Sequence, residues 1–361
     1  MDRIYVTGHR NPDTDSVVSA MAYAALRNAL GERHYVAARL GHLSDETKLI
    51  LNRFGFEPPM LLKNVRTQVQ DLDFDVPPIL HEAVTVNRAW SEMQEDSQIS
   101  AIPVTDDEGH LQGMLTAGDI AGFDMETIEA PDLRAVPLFN ILSVLEGQLL
   151  SETEEVINTL TGEVILALPQ SGELPPFRQK ETILVCGSQP EMLRQAVEFG
   201  VACVILCQAE LPDDIRAMVK NTCIISTPYD SLRAVRRIFQ AIPVGRLAHR
   251  QEITSFHLED YIDDVREVVL QSRYRSYPIL DSEEKVVGTL SRYHLIKPRR
   301  KQVVLVDHNE AAQSVPGLNQ AEVLAIIDHH RLADIQTKNP IYFRNEPVGS
   351  TCTIVAGMYQ E

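Results

Sequence analysis

The segment Arg3-Ile4-Tyr5-Val6-Thr7-Gly8-His9-Arg10-Asn11-Pro12-Asp13-Thr14-Asp15 places a histidine and two aspartates directly after an apolar run. The apolar residues predict a short buried strand over Arg3–Thr7, and Ser16 is the predicted N-cap of the helix that follows. Pro12 stiffens the turn between them. Two later apolar runs end in clusters of the same kind, Asp307-His308-Asn309 after Val303–Val306 and Asp328-His329-His330 after Val323–Ile327.

These three clusters predict a metal site. In an open α/β sheet, ligands bind outside the carboxyl ends of the strands, so three strand ends would bring the clusters to one rim. Imidazoles mixed with carboxylates suit manganese, cobalt, iron or zinc, whereas oxygen ligands alone favour magnesium or calcium. Two such cations, about 3.5–4 Å apart, occur in hydrolases of phosphate esters and anhydrides, and Asp307 is the candidate carboxylate that bridges them. The alternative is that Asp13, Asp15 and Ser16 only cap a helix.

An internal repeat lies between the first cluster and the other two. Residues 103–116 align without a gap with residues 278–291, and proline, aspartate, glutamate, glycine and leucine recur at equal offsets. Each copy predicts a strand, an acidic turn, a second strand and a hydroxyl residue before a helix. A predicted helix also precedes each copy, at Val86–Glu95 and Leu258–Gln271. The copies flank a different α/β segment.

Charge and cysteine content argue against several classes of protein. The formal net charge of −18 over 361 residues makes nucleic acid a poor partner, because phosphate binding needs a basic surface. The five cysteines form no CxxC pair, so we expect packed, free thiols in a reducing cytosol. No apolar stretch approaches the roughly 18–20 residues of a membrane span. We therefore expect a cytoplasmic protein with neither a membrane nor a nucleic-acid partner.

The three clusters together resemble the DHH phosphoesterase superfamily, and within it family II inorganic pyrophosphatases. The run Val348–Val355 is similar to the glycine-serine-threonine helix start of those enzymes. The repeat copies resemble a pair of CBS domains, and the segment between them resembles a DRTGG domain. The resemblance implies an α/β fold in which a DHH-type parallel sheet domain is split by an insertion of two CBS domains and a DRTGG-like α/β domain. The expected bounds are 1–65 and 301–361 (DHH), 66–125 and 246–300 (CBS), and 126–245 (DRTGG-like).

The same resemblance implies roles for single residues. It assigns the metal ligands as His9, Asp13, Asp15, Asp307 and His329. Asp307 would bridge two manganese or cobalt ions, with His308 and Asn309 as its support. His330 would face the substrate phosphate, and Asp328 would orient the neighbouring histidine. Magnesium would accompany the substrate, diphosphate, which is hydrolysed to two phosphates.

CBS pairs bind adenine nucleotides in the cleft between their two copies. The nucleotide-binding candidates here are Thr116, Asp119, Ser291, Arg292 and Tyr293. Residues 113–119 fit the expected glycine-x-x-threonine-x-x-aspartate pattern, whereas His294 replaces the carboxylate in the second copy. The effector would be AMP, ADP, ATP or a diadenosine polyphosphate, and the protein would be a homodimer. The alternative for Thr116 and Ser291 is that they only cap helices. The basic run 297–301 is predicted to be a solvated linker, and contact with a nucleotide phosphate is its alternative.

The chain also departs from the family pattern. Family members carry a further aspartate ligand and a second domain that supplies lysine and arginine, and neither has a counterpart before Glu361. We therefore expect a truncated chain in which turnover is weakened or absent. Two other functions stay open. One is a DHH phosphoesterase that acts on cyclic dinucleotides or short nucleic acids, and the other is an adenine-nucleotide sensor without catalysis.

Overall fold

A computed structural model of the chain describes residues 3–31, 34–96, 99–129, 131–151, 157–167, 180–296 and 298–361. The chain divides into two compact units. The first unit comprises Met1–Phe74, Phe256–Tyr274 and Ser291–Glu361. The second unit comprises Asp75–Ser255 and Arg275–Leu290.

The strands of the described residues are, in chain order, β1 (Arg3–Thr7), β2 (His34–Arg39), β3 (Met60–Leu61), β4 (Leu80–His81), β5 (Ala101–Thr105), β6 (Leu111–Thr116), β7 (Asp132–Pro137), β8 (Gln148–Leu149), β9 (Thr159–Leu166), β10 (Thr182–Cys186), β11 (Cys203–Cys207), β12 (Cys223–Thr227), β13 (Phe256–His257), β14 (Ser276–Leu280), β15 (Val286–Ser291), β16 (Gln302–Val306), β17 (Glu322–Asp328) and β18 (Tyr342–Asn345). The α-helices are α1 (Thr14–Ala29), α2 (Asp45–Phe54), α3 (Val86–Glu95), α4 (Ala117–Glu129), α5 (Leu138–Leu145), α6 (Pro190–Phe199), α7 (Asp213–Arg216), α8 (Ser231–Phe239), α9 (Ile262–Gln271) and α10 (Thr351–Met358).

A six-stranded parallel sheet in the order β18-β17-β16-β1-β2-β3 forms the first unit. The strand β1 therefore lies beside β16, which comes from the far end of the chain, and Ile4 is in register with Gln302. The strands β1, β16 and β17 are neighbours, and each precedes one of the three predicted clusters. The parallel arrangement puts their carboxyl ends on the same edge of the sheet. Of these three strands, β16, which precedes Asp307, lies between the other two.

Both faces of this sheet are buried, which explains why its strands read as continuous apolar runs rather than alternating ones. On one face Val304 and Val306 pack with residues of α1 and α10 such as Ala20 and Ile354. On the opposite face Val303 and Leu305 join a separate cluster. The helix α2 ends at Gly55, whose φ of 72° is the left-handed conformation that glycine adopts without strain.

The second unit contains a six-stranded sheet in the order β7-β9-β10-β11-β12-β8. The four middle strands are parallel, and the edge strands β7 and β8 pair in antiparallel fashion. Cys186, Cys203, Cys207 and Cys223 are buried in this sheet, as the apolar run around them predicts. Burial raises the pKa of the Cys186 thiol to about 12, so it stays protonated and inert.

The predicted repeat is present as two hairpins, β5–β6 and β14–β15, with the same turn chemistry. Asp106 accepts hydrogen bonds from the backbone amides of Glu108 and His110. Asp281 accepts the equivalent bonds from Glu283 and Lys285. The two turns also pair with each other through a bridge between His110 and Lys285. An aspartate at the same position of each copy thus closes the turn.

The two copies differ after their second strand. In the first copy α4 begins directly after Thr116, as predicted. In the second copy the predicted helix is a single 3-10 turn, Arg292–Leu295. Pro298 lacks a backbone N–H and disfavours helix in the residue before it, which limits the turn. The helix before the second copy, α9, starts at Ile262 rather than at Leu258. Among the described helices, none has both the length and the apolar character required to cross a lipid bilayer.

Candidate metal centre

The turn after β1 is held by Ser16, although not in the way that the sequence predicts. The N-cap of α1 is Asp13, whose side chain accepts a hydrogen bond of 2.8 Å from the amide of Ser16. The prediction of Ser16 as the cap is therefore wrong. Ser16 lies within the first turn of the helix, and its hydroxyl accepts a hydrogen bond of 3.0 Å from the amide of His9. This bond fixes the loop that carries the His9 imidazole.

Asp307 lies at the centre of the cluster, at the end of β16. Its side chain is 2% exposed, and its backbone has a φ of 63°, a conformation uncommon outside glycine and found mainly in aspartate, asparagine and histidine. The oxygen Oδ2 is 3.5 Å from Nε2 of His9. The oxygen Oδ1 is 3.4 Å from Nε2 of His329 and 3.9 Å from Nδ1 of His330. The two oxygens of one carboxylate therefore face two different sets of side chains.

Those sets are two groups of potential metal ligands that share Asp307. The first is His9, Asp13 and Asp307, and the second is Asp307, His329 and His330. In each group the donor atoms lie within 4.8 Å of one another. Asp15 lies beside the second group, with Oδ2 at 3.8 Å from Nε2 of His329. The structure thus brings all five predicted ligands together, with Asp307 between the others, and places His330 beside them.

Hydrogen bonds set which nitrogen of each late histidine carries the proton. Nδ1 of His329 is 3.0 Å from the carbonyl oxygen of Val348. A carbonyl can only accept, so Nδ1 carries the hydrogen and Nε2 presents its lone pair towards Asp307. Nδ1 of His330 donates to Asp328 at 2.8 Å, which leaves its Nε2 free as well. Ligand orientation by such an outer contact is usual for metal-binding histidines.

A second layer of buried polar groups holds the 328–333 loop. Asp328 is fully buried and accepts hydrogen bonds from the amides of His329 and His330. Asn309 donates to Asp328 and to the carbonyl of Arg331. His308 is buried against Val306 and Ser314 rather than in the cluster, and burial lowers its pKa to about 4. It is therefore neutral near pH 7.

The sequence analysis did not identify two features of the site, both at the start of α10. The amides of Thr351 and Cys352, at the start of α10, donate to the two carboxylate oxygens of Asp15 at 2.7 and 2.8 Å. The hydroxyl of Thr351 donates to Oδ1 of Asp307 at 2.9 Å. The glycine-serine-threonine run was the available signal, and its serine, Ser350, is the N-cap of α10.

The electrostatics of the cluster fit divalent cations. Burial raises the pKa of Asp307, and the negative charge of Asp15 raises it further. Burial also acts to raise the pKa of Asp15, but hydrogen bonds from Cys352 and Thr351 together lower it. The contact with Asp307 raises the pKa of His9. A cation between mutually repelling carboxylates stabilises them, and the mixture of nitrogen and oxygen donors suits manganese or cobalt.

The nucleotide-binding candidates of the first copy bond to each other. Asp119 accepts hydrogen bonds from the amide and the hydroxyl of Thr116, at 2.7 and 2.6 Å. The amide of Asp119 donates in return to the Thr116 hydroxyl. This is helix capping, the alternative that the sequence left open, and it leaves Oδ1 of Asp119 available to a ligand.

In the second copy, the nucleotide-binding candidates Ser291, Arg292 and Tyr293 each make different contacts. His294 accepts a hydrogen bond from the amide of Ser291 at 2.9 Å, so it replaces the capping aspartate of the first copy. Arg292 donates to the carbonyls of Val269 and Ser272. Tyr293 is 78% exposed and, with His294, lines a cavity of about 280 Å³.

The basic run after this turn is engaged with acidic residues. Arg299 pairs with Asp73 at 2.6 Å, and Lys301 lies 3.2 Å from Asp71. Lys297 lies outside the described residues. Arg299 and Arg300 are exposed, as in a solvated linker, whereas the side chain of Lys301 is only 16% exposed.

Comparisons with known proteins agree with this geometry. The profile of the DHH family, N-terminal domain, matches residues 3–361. A cobalt-dependent inorganic pyrophosphatase of Clostridium perfringens is 41% identical over 367 residues, which cover 100% of this chain and 66% of that protein. A probable manganese-dependent inorganic pyrophosphatase of Thermotoga maritima is 30% identical over 365 residues, with coverage of 99% and 66%. The chain thus spans just under two thirds of the length of these relatives.

One solved structure is also similar. It is the crystal structure of the CBS and DRTGG domains of the regulatory region of Clostridium perfringens pyrophosphatase, complexed with the activator diadenosine tetraphosphate. The TM-score is 0.56 at 30% identity, and the match covers 62% of this chain and 99% of that one. The predicted fold class, a DHH-type sheet with inserted CBS and DRTGG-like domains, is confirmed.

Proposed function

The chain belongs to the DHH family, and from that premise we propose that it carries the dinuclear metal centre of an inorganic pyrophosphatase. The reaction would be hydrolysis of diphosphate to two phosphates, with manganese or cobalt in the centre. The position of Asp307, shared by two groups of potential ligands, supports this proposal most directly. The names of the two relatives point to the same reaction and the same metals.

Each predicted residue has a role in this proposal. One cation would be held by His9, Asp13 and Asp307, and the other by Asp15, Asp307 and His329. Two bound cations would polarise phosphoryl oxygens and lower the pKa of a shared water. The helices α1 and α10 both begin at the cluster, and their positive ends favour an anionic substrate.

His330 and Asp328 would act on the substrate side. Asp328 holds Nδ1 of His330, so the free Nε2 can receive a proton or, once protonated, contact a phosphate oxygen. Half of the His330 side chain is exposed, which suits contact with substrate better than full enclosure as a ligand. Magnesium would enter with the diphosphate.

We further propose regulation by adenine nucleotides, either AMP, ADP and ATP or a diadenosine polyphosphate, in a homodimer that remains in the cytoplasm. Support comes from the similarity to the regulatory region that was solved with diadenosine tetraphosphate. The carboxylate oxygen of Asp119 that does not cap the helix would contact the ribose.

The chain is expected to bind two Mn²⁺ or Co²⁺ ions, because Asp307 presents one oxygen to each ligand group. Isothermal titration of the metal-free 361-residue chain measures the stoichiometry. His81→Ala is the matched control, because His81 belongs to the second unit, where its Nε2 makes an exposed pair with Asp107 at 2.9 Å. This variant should also bind two cations. A stoichiometry of one or zero in the unaltered chain contradicts the dinuclear centre.

The reaction class is tested by substrate preference. Phosphate release from diphosphate is compared with cleavage of a cyclic dinucleotide and of a short oligonucleotide, each with Mn²⁺ or Co²⁺. Cleavage of the nucleotide substrates alone would favour the other DHH phosphoesterase. Two bound cations and bound nucleotide without turnover of any substrate would favour the sensor.

Asp119→Ala should weaken binding of AMP or ATP about tenfold or more, because hydrogen bonds to a charged group contribute roughly 1.5–3 kcal/mol. Titration calorimetry measures the affinity. Asp124→Ala, on the exposed side of the same helix, is the control and should bind as the unaltered chain does. Unchanged affinity in Asp119→Ala would assign this carboxylate to helix capping alone.

A further inference from the structure

The hydroxyl of Thr351 is placed to set the rotation of the bridging carboxylate. Its Oγ1 donates to Oδ1 of Asp307 at 2.9 Å, and both side chains are buried, with exposures of 0% and 2%. The two residues come from different elements, α10 and the end of β16. A hydrogen bond between them is therefore a tertiary constraint on the carboxylate rather than a local turn.

The orientation of the Asp307 carboxylate matters because its two oxygens face different histidines. Oδ2 faces His9 at 3.5 Å, and Oδ1 faces His329 at 3.4 Å. Rotation about the Cβ–Cγ bond would move both oxygens away from these partners at once. The hydroxyl of Thr351 occupies one lone pair of Oδ1 and so opposes that rotation.

Thr351 also reaches the second carboxylate of the cluster. Its backbone amide donates to Oδ2 of Asp15 at 2.7 Å, and this oxygen is 3.8 Å from Nε2 of His329. A single residue therefore holds two carboxylates from distant parts of the chain, one in the first turn of α1 and one at the end of β16. Only the bond to Asp307 uses the side chain, so the two functions can be separated by substitution.

We propose that Thr351 is a positioning residue for the dinuclear centre, and that its hydroxyl keeps Asp307 in the orientation that serves both cations. This inference rests on the proposed metal centre and adds a residue to it. Thr351 itself contacts carboxylates, so it acts through Asp307 and not on substrate. Residues that orient metal ligands typically contribute 10–100-fold to metal affinity.

The molecule offers a matched control in Thr7. Both threonines are fully buried in the first unit, but the hydroxyl of Thr7 has no hydrogen-bond partner among the described residues. Valine has the shape of threonine without the hydroxyl. Thr7→Val and Thr351→Val therefore make the same chemical change at equal burial, and only the second removes a bond to Asp307.

The test measures affinity for Mn²⁺ and Co²⁺ in the metal-free chain by competition with a chelating dye. The electron paramagnetic resonance spectrum of the Mn²⁺-loaded chain reports coupling between two ions. Thr351→Val is expected to bind one of the two cations at least tenfold more weakly, with an altered coupled signal. Thr351→Ser, which keeps the hydroxyl, should stay within about threefold of the unaltered chain. Thr7→Val should match the unaltered chain.

The outcomes separate this inference from the function on which it rests. If the unaltered chain binds two cations and Thr351→Val binds both equally well with the same spectrum, the positioning role is wrong and the metal centre stands. If the unaltered chain binds no second cation, the metal centre is wrong and the inference is overturned with it. Thr351→Ala is the second variant if valine prevents folding, and the same loss of affinity is expected.

Discussion

Asp307→Asn is expected to abolish binding of the cation pair and, in a complete enzyme that turns over, to lower diphosphate hydrolysis more than 100-fold. The substitution keeps the shape of the side chain but removes its negative charge, and a neutral amide bridges two cations poorly. Residues that only orient a ligand contribute about 10–100-fold, and a bridging ligand should exceed that range. Titration calorimetry with Mn²⁺ measures the first effect, and phosphate release measures the second.

Asp45→Asn is the matched control, because Asp45 belongs to the same unit and its side chain is fully exposed beside Lys48. It should retain two cations. In the metal-free parent, the negative charge of Asp15 repels that of Asp307 and raises its pKa. Asp307→Asn removes this repulsion. Asp307→Asn should therefore fold, and the metal-free variant should be at least as resistant to unfolding as the metal-free parent. Retention of two tightly bound cations by Asp307→Asn would reject the bridging role.

Gly8→Ala is expected to destabilise the first unit by about 1–3 kcal/mol or more, the range of overpacked sites. A Cβ atom at this position would lie 1.8 Å from Oγ of Ser16 and 2.8 Å from its carbonyl oxygen. The hydroxyl of Ser16 cannot move away without losing the bond from the His9 amide. Faster hydrogen exchange of the β1 amides and a lower unfolding midpoint measure the effect, and weaker metal binding should accompany it.

The control for this glycine is Gly122→Ala in α4. Gly122 is exposed inside a helix, and a Cβ there would meet nothing within 4 Å. Alanine at such a position usually stabilises a helix by about 0.5–1 kcal/mol, so the two alanine substitutions should have opposite signs. A Gly8→Ala chain with unchanged exchange at β1 would show that the turn can shift at low cost.

Local chemistry made several elements predictable to the residue. The bounds of β1 and α3 agree with the sequence analysis. In α2, for example, Ser44 caps the start and Gly55 the end, so residues next to each other in sequence define both limits. The start of α1 was misplaced because Asp13 and Ser16 are both good caps. The contact of Ser16 with the His9 amide, seven residues away, determines which of them takes the position.

The candidate metal centre likewise has some features that the sequence predicts and others that it does not. The types of its ligands and their positions after strands were readable from the three clusters, because a parallel sheet puts strand ends at one edge. The roles of Thr351 and of the α10 amides were not readable. Their partners, Asp15 and Asp307, lie far away in sequence, and nothing near Thr351 indicates which carboxylate it meets.

The amino-acid sequence alone specified the strands, the three clusters and the repeated acidic turn, since each depends on side chains a few residues apart. Long-range packing specified the rest: that β1 pairs with β16, that Asp307 takes a positive φ between two sets of histidines, and that one threonine hydroxyl meets its carboxylate. These features depend on which apolar faces bury one another. Burial is a property of the whole assembled sheet, so no short segment encodes it.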